Sequence, residues 1–244
     1  AANGFMEMMN NSLTKSDYYT QLKTYPQEKC AMVVNPLSSD LNCMRQTLLL
    51  NGLEVVAYNI NRQQNDLKLF EYGNVYSFNP DFKAPEFDAS NPEEVLAHRG
   101  DALKAYSEEP KFSIFITGNG YQGWRNRTVG GNFFTLKGYL ELLLAKFGVN
   151  VANLEYENAP ADLFAEGLSY KMNGKEIAVM GTIAKARLKQ FGIKQPVFAA
   201  EISWNVLLKA VKKNKVQYSE LPKFPEVKRD LALLLDENVS FAEL

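Results

Sequence analysis

A chain of 244 residues, 46% hydrophobic and 23% charged, has room for one large or two small domains and is too rich in core-forming residues to be disordered. Its 27 basic and 28 acidic residues leave a net charge of -1, which excludes a global attraction to nucleic acid or to an anionic membrane and leaves only local patches. No apolar run reaches the roughly 18 to 20 residues that span a bilayer, and no basic-then-apolar leader opens the chain, so a cytoplasmic location is expected.

The opening "AANGFMEMMNNSL" has no initiator methionine and alternates Phe5, Glu7 and Met9, so it reads as an excised piece that starts just ahead of a strand. Next, "SSDLNCMRQTLLLNGLEVV" places Leu41, Met44, Leu48 and Val55 near one helical face, with Ser38 or Ser39 as N-cap and a bend or frayed turn at Gly52. "LKLFEYGNVYSF" has strand composition, and Gly73 within it marks a bulge or a close backbone approach. Residues 79–94, "NPDFKAPEFDASNPEE", read as a flexible insertion rich in Pro, Asn and Asp.

"FSIFI" then leads into "TGNGYQG", where Gly118, Gly120 and Gly123 match the spacing of a dinucleotide-binding fingerprint. That fingerprint works only where a helix opens at the glycines and faces the pyrophosphate. Here "WRNRTVGG" follows, and helical periodicity begins near Phe133, so a loop closing a strand is the expected structure and a nucleotide site the alternative. "NFFTLKGYLELLLAKFG" is the clearest helix, with Phe133, Leu136, Leu140, Leu143, Leu144 and Phe147 in one stripe and Gly148 as C-cap.

In "LSYKMNGKEIAVMGTI" two strand-like runs meet at Asn173-Gly174, a hairpin signal because both turn positions need positive φ. "QPVFAAEIS" reads as a strand and "WNVLLKAVKK" as a helix with Trp204, Leu207, Leu208 and Val211 inward. Its Lys209, Lys212 and Lys213 complement the negative helix end as a solvated turn, with nucleic-acid contact as the alternative. Finally "FPEVKRDLALLLDE" contains a strand-like apolar run from Leu231 to Leu235. Hairpins interrupted by separate helices argue for α+β, an antiparallel sheet flanked by helices.

Few residues offer chemistry. Cys30 and Cys43 are too few for a disulfide framework, and with His98 they make three candidate ligands, short of a four-ligand structural zinc. A Ser-His-Asp or Cys-His machine would have to use His98, which sits between a helical run and Gly100 and is expected as a solvated surface imidazole. Glu71 shares a strand face with Leu67 and Leu69, so it must be hydrogen-bonded, paired with a base such as Arg45, or exposed at a cleft as a ligand-binding acid.

"NGFMEMMNNSLT", "NPLSSDLNCMRQTLL", "LKLFEYGNVY", "NFFTLKGYLELLL" and "KFPEVKRDLALLLDE" occur in the order and spacing of the beta chain of bacterial-type phenylalanyl-tRNA synthetase, and the resemblance covers essentially the whole chain. It implies the catalytic-like module of that chain, with a class II aminoacyl-tRNA synthetase fold over residues 1–220. Residues 221–244 would form a linker and the start of a truncated ferredoxin-like anticodon-binding domain. The resemblance also implies a non-catalytic role. The class II motif with an arginine one turn into the last helix falls near "AAEISWNVLLKAV", which holds neither Gly nor Arg, and "LFEYGNVY" offers no arginine. ATP and magnesium then serve the whole enzyme and no cofactor is expected in this piece. The implied partner is the alpha chain in an (αβ)₂ assembly, and tRNA(Phe) is a partner of the whole enzyme, with no direct contact expected here. Asn35, Arg45, Phe70, Glu71, Gly73, Lys137, Gly138, Arg229 and Asp230 carry the family motifs as structural residues. Two alternatives are a stand-alone tRNA-binding module using the lysines near Lys212 and a nucleotide-dependent enzyme using the glycine loop.

Overall fold

The computed structural model describes residues 3–83, 85–86, 91–98, 100–120, 130–214, 218, 220, 223–236 and 239. The chain divides into two units, residues 1–213 and residues 214–244. The first unit contains, in order, β1 (Met6–Glu7), β2 (Leu13–Thr14), β3 (Cys43–Met44), α1 (Leu48–Ile60), β4 (Leu67–Phe78), α2 (Pro92–Ala97) and β5 (Tyr106–Thr117). There follow α3 (Phe133–Lys146), β6 (Glu155–Asn158), β7 (Phe164–Met172), β8 (Lys175–Ile183), α4 (Lys185–Gln190), β9 (Val197–Ser203) and α5 (Trp204–Val211).

Seven strands form one sheet in the order β1-β4-β5-β9-β8-β7-β6. Every neighbouring pair is antiparallel except β1 and β4, which run parallel. The α+β architecture expected from the sequence is therefore present, with one parallel edge strand added. Side chains alternate across the sheet and divide the core in two. Phe115, Leu67, Leu69, Val197 and Ala199 join Leu49, Leu50, Leu53 and Val56 of α1 on one face. Ile114, Ile116, Ala200 and Ile202 join Leu136, Leu140 and Leu144 of α3 and Leu207 of α5 on the other. Each such leucine contributes about 1.5–3 kcal/mol on burial.

The elements set by local signals form as expected. In α3, Asn132 caps the N-terminus by accepting a hydrogen bond from Thr135 N at 2.8 Å, and Gly148 ends the stripe at φ 79°. The β7–β8 turn has φ of 54° at Asn173 and 71° at Gly174, both positive as a two-residue hairpin requires. β4 runs in continuous register against β5 through Gly73, so there is no bulge. Arg45 lies so close to this glycine that any Cβ would collide with its guanidinium.

Four expectations are corrected. Helix α1 begins at Leu48 with Thr47 as its N-cap, well after Ser38, which caps a short 3₁₀ turn over Ser39–Leu41. Met44 lies in the β2–β3 ribbon instead, because backbone bonds of this stretch go elsewhere: Arg45 N donates to Ser12 O at 2.9 Å and Tyr76 N to Arg45 O at 2.8 Å. Gly52 neither bends nor frays α1; it is buried under the Phe115 ring, which leaves no room for a Cβ. Leu208 of α5 is exposed, since the α5 stripe buries Leu207 alone and half-buries Trp204 and Val211.

The fourth correction concerns the second unit, where residues 225–236 carry no regular secondary structure, so the strand expected at residues 231–235 is not formed. Its leucines are exposed, with no apolar surface to fix a strand register. The 79–94 insertion is partly outside the described residues, and its last part belongs to α2, capped by Asn91 through Glu93 N at 3.0 Å.

Candidate functional site

Three polar residues lie in one row across the sheet under α1. Glu71 of β4 pairs with Ser113 of β5, and Ser113 pairs with Glu201 of β9. All three point toward α1 and are at most 2% exposed. Carboxylates buried this deeply need partners within hydrogen-bond reach.

Glu71 has them from two directions. Arg45 Nη1 sits 2.7 Å from its Oε1, and Arg45 Nε donates to Asn74 O at 2.9 Å, which fixes the plane of the guanidinium. Asn10 donates its backbone N–H to Oε1 at 3.2 Å and its side-chain amide to Oε2 at 2.7 Å. Of the three options open to Glu71 in the sequence, hydrogen bonding and pairing with Arg45 are both adopted and exposure at a cleft is not.

Glu201 is held by the start of α1. Thr47 Oγ1 and Leu48 N both donate to its Oε1 at 2.8 Å, so the carboxylate lies at the positive end of the helix dipole. Tyr25 OH donates to Oε2 at 3.1 Å, and Lys111 Nζ lies 3.7 Å from the same atom while donating to Ser203 Oγ at 2.9 Å. Burial, and then the charge of Glu201, push the Tyr25 hydroxyl well above its ordinary pKa, which keeps it a neutral donor. Ser113 Oγ has no hydrogen-bond partner among the described residues.

Arg45 and Lys111 balance the charges of Glu71 and Glu201. Tyr25, Lys111 and Glu201 lie outside the five family motifs quoted from the sequence, and Thr47 lies inside one of them without having been singled out. The available signal was Glu201 itself, an acid inside the apolar run "VFAAEIS", to which the reasoning applied to Glu71 extends.

The remaining sequence candidates lie apart from this row. Asn35 is an exposed turn residue at φ 55°, and Phe70 is on the opposite face of β4, stacked on Phe112 with centroids 5.8 Å apart. On α3, Lys137 pairs with Glu141 at 3.6 Å and Gly138 faces open space. Arg229 and Asp230 are exposed residues of the second unit. His98 bonds Asp101 at 2.7 Å at the surface.

No helix opens at residues 118–120. Gly118, at φ 75°, packs against the backbone of Asn65, and Asn119 N donates to Asp66 Oδ1 at 2.7 Å. Gly123 lies outside the described residues, and the next helix among the described residues begins at Phe133. Beside the polar row opens a polar cavity of about 230 Å³ lined by Tyr25, Lys29, Gln46, Glu109 and Lys111 among others. Across the sheet is an apolar cavity of about 270 Å³ walled by Phe5, Phe70, Phe112, Tyr139 and Leu143. Among the described residues, no group of three or more His, Cys, Asp or Glu side chains is placed to hold a metal ion.

A sheet of this order with helices on both faces is the fold of a tRNA synthetase. A pyrrolysyl tRNA synthetase from Desulfitobacterium hafniense superimposes with a TM-score of 0.56, covering 85% of this chain and 63% of that one at 12% identity, which shows the fold alone. Residues 1–204 match the family described as phenylalanyl tRNA synthetase beta chain CLM domain, and the chain belongs to it. It is 44% identical over 243 residues to the phenylalanine--tRNA ligase beta subunit of Bacteroides thetaiotaomicron, covering 99% of this chain and 28% of that protein. The beta subunit of Porphyromonas gingivalis is 39% identical over the same shares. The chain thus spans under a third of the length of these relatives.

Proposed function

We propose that this module is a non-catalytic scaffold of a phenylalanine-tRNA ligase, packing against the catalytic alpha chain in an (αβ)₂ assembly that attaches phenylalanine to tRNA(Phe) in the cytoplasm. In this reading residues 1–220 form the module and residues 221–244 lead into a neighbouring domain. ATP and magnesium are used by the whole enzyme and not here.

The observation that carries the reading is the internal closure of the polar row. Activation of an amino acid with ATP calls for cationic groups free to meet phosphate oxygens as charge develops, and for acids free to hold magnesium. Arg45 is engaged by Glu71 and Asn74, and Glu71 and Glu201 are engaged by Asn10, Thr47, Tyr25 and the α1 N-terminus. These residues do not suit a magnesium-bound nucleotide, so no chemical step is assigned to them.

Isothermal calorimetry with ATP-magnesium and with phenylalanine tests the reading. The module alone is expected to give no binding heat and no ATP–pyrophosphate exchange. Saturable binding of either ligand, abolished by Arg45→Met, would contradict it.

A further inference from the structure

The two cysteines, one of them inside the motif "NPLSSDLNCMRQTLL", are brought together by the ribbon that precedes α1. Met32 and Cys43 face each other as an antiparallel bridge, flanked by the bonds Val33 N to Asn42 O and Met44 N to Ala31 O, both 2.9 Å. This is the non-hydrogen-bonded kind of pair, in which side chains lie closest. Cys30, two residues before Met32 and extended in backbone, projects to the same face as the diagonal neighbour of Cys43.

The surroundings differentiate the two thiols. Gln46 Nε2 donates to Cys30 Sγ at 3.1 Å, while Cys43 Sγ donates to Thr14 O at 3.5 Å. Interaction with the Cys43 thiol draws the Cys30 thiol below its ordinary pKa against the effect of burial, and Gln46 adds to this. The same interaction, followed by burial, raises Cys43. Both are buried, but Gln46 and Lys29, which touch or adjoin Cys30, line the polar cavity together with Lys111. Solvent therefore comes within one side chain of Cys30, whose thiolate is favoured by the donors Cys43 and Gln46 and opposed by burial and the charge of Glu28.

The geometry points to a dithiol–disulfide site, in which Cys30 is the nucleophile and Cys43 the resolving thiol toward a peroxide. The Cys30 thiolate attacks one peroxide oxygen, the O–O bond breaks, and the departing hydroxide takes a proton to leave as water, giving a sulfenic acid on Cys30. Cys43 sulfur then attacks Cys30 sulfur, the S–OH bond breaks, and the hydroxide leaves as water with the Cys43 proton. Two thiols and one hydrogen peroxide become one disulfide and two waters, the sulfurs supplying the two electrons. The bond closes the base of the loop that carries Met32, Val34 and Leu37, all exposed, so oxidation narrows the conformations of an apolar surface.

Trypsin cuts after Lys29 and Arg45, so residues 30–45 form one peptide containing both cysteines. The full-length protein is treated with hydrogen peroxide, alkylated with N-ethylmaleimide and digested. The expected peptide is two hydrogens lighter, unalkylated, and doubly alkylated only after dithiothreitol. Cys43→Ser is expected to leave a Cys30 sulfenic acid that dimedone traps, and Cys30→Ser to leave Cys43 reduced. A doubly alkylated peptide whose Met32 and Met44 carry oxygen would overturn the proposal, as would oxidation of Cys43 at an unchanged rate in Cys30→Ser. If a serine variant does not fold, the wild-type protein still decides the matter. A trivalent arsenical, which needs two thiols a few ångströms apart, is expected to bridge this peptide, and an unbridged peptide would refute the pairing.

Discussion

Removing one partner of the Arg45–Glu71 pair leaves the other as a buried, uncompensated charge. Arg45→Met or Glu71→Met alone is expected to cost about 3–5 kcal/mol, whereas the double substitution is expected to be far less damaging than the sum of the two. Urea unfolding of the three variants measures this. Single costs below about 1 kcal/mol would mean the pair is solvated. Asp162 gives a pH-dependent effect. Burial raises its carboxyl, but donors from Thr24 N, Thr24 Oγ1 and Lys23 N more than offset this and hold it below the usual range. With the folded pKa depressed, its contribution is present above the unfolded value of about 4 and is lost as pH falls through the folded value. The stability gap between wild type and Asp162→Asn should accordingly narrow as acid is added, which urea midpoints at neutral and acid pH can follow. Glu71 was legible in the sequence because an acid between Leu67 and Leu69 requires a partner. Its counterpart Glu201 carried the same signal inside "VFAAEIS", but its partners were not legible, since Thr47 and Tyr25 lie some 150 positions or more away and no local pattern links them.

Among the elements, those specified by nearby residues were the readable ones. The Asn173-Gly174 hairpin and helix α3 each carry their own turn or cap and their own apolar stripe. The start of α1 was not readable, because the helical spacing of Leu41, Met44 and Leu48 is overridden by backbone bonds from Arg45 to Ser12 and Tyr76. Two helix glycines separate intrinsic preference from packing. Gly138→Ala in α3 faces open space and is expected to stabilise the protein by about 0.5–1 kcal/mol, the helix preference of alanine over glycine. Gly52→Ala in α1 gains the same preference but drives a methyl group into the Phe115 ring, where overpacking costs about 1–3 kcal/mol, so net destabilisation is expected. Thermal unfolding of the two variants should move in opposite directions. A stabilised Gly52→Ala would mean that Phe115 does not occupy that contact.

At the scale of the whole molecule, five motifs in register made the family legible, and the match over residues 1–204 with the synthetase-type sheet establishes it. Composition alone gave only a globular α+β chain. What single-sequence reading did not reach is how the sheet face under α1 is used, because that depends on side chains from three strands and three loops meeting in space. With its charges closed internally, this face reads as core, and the proposed scaffold role places function in contact with another subunit. The most direct measurement is light scattering after size exclusion, with the module alone and then mixed with its cognate alpha chain. Co-elution at the summed mass is the expected result. If the two chains elute separately, while a full-length beta chain lacking this module still assembles with the alpha chain, the scaffold account is contradicted.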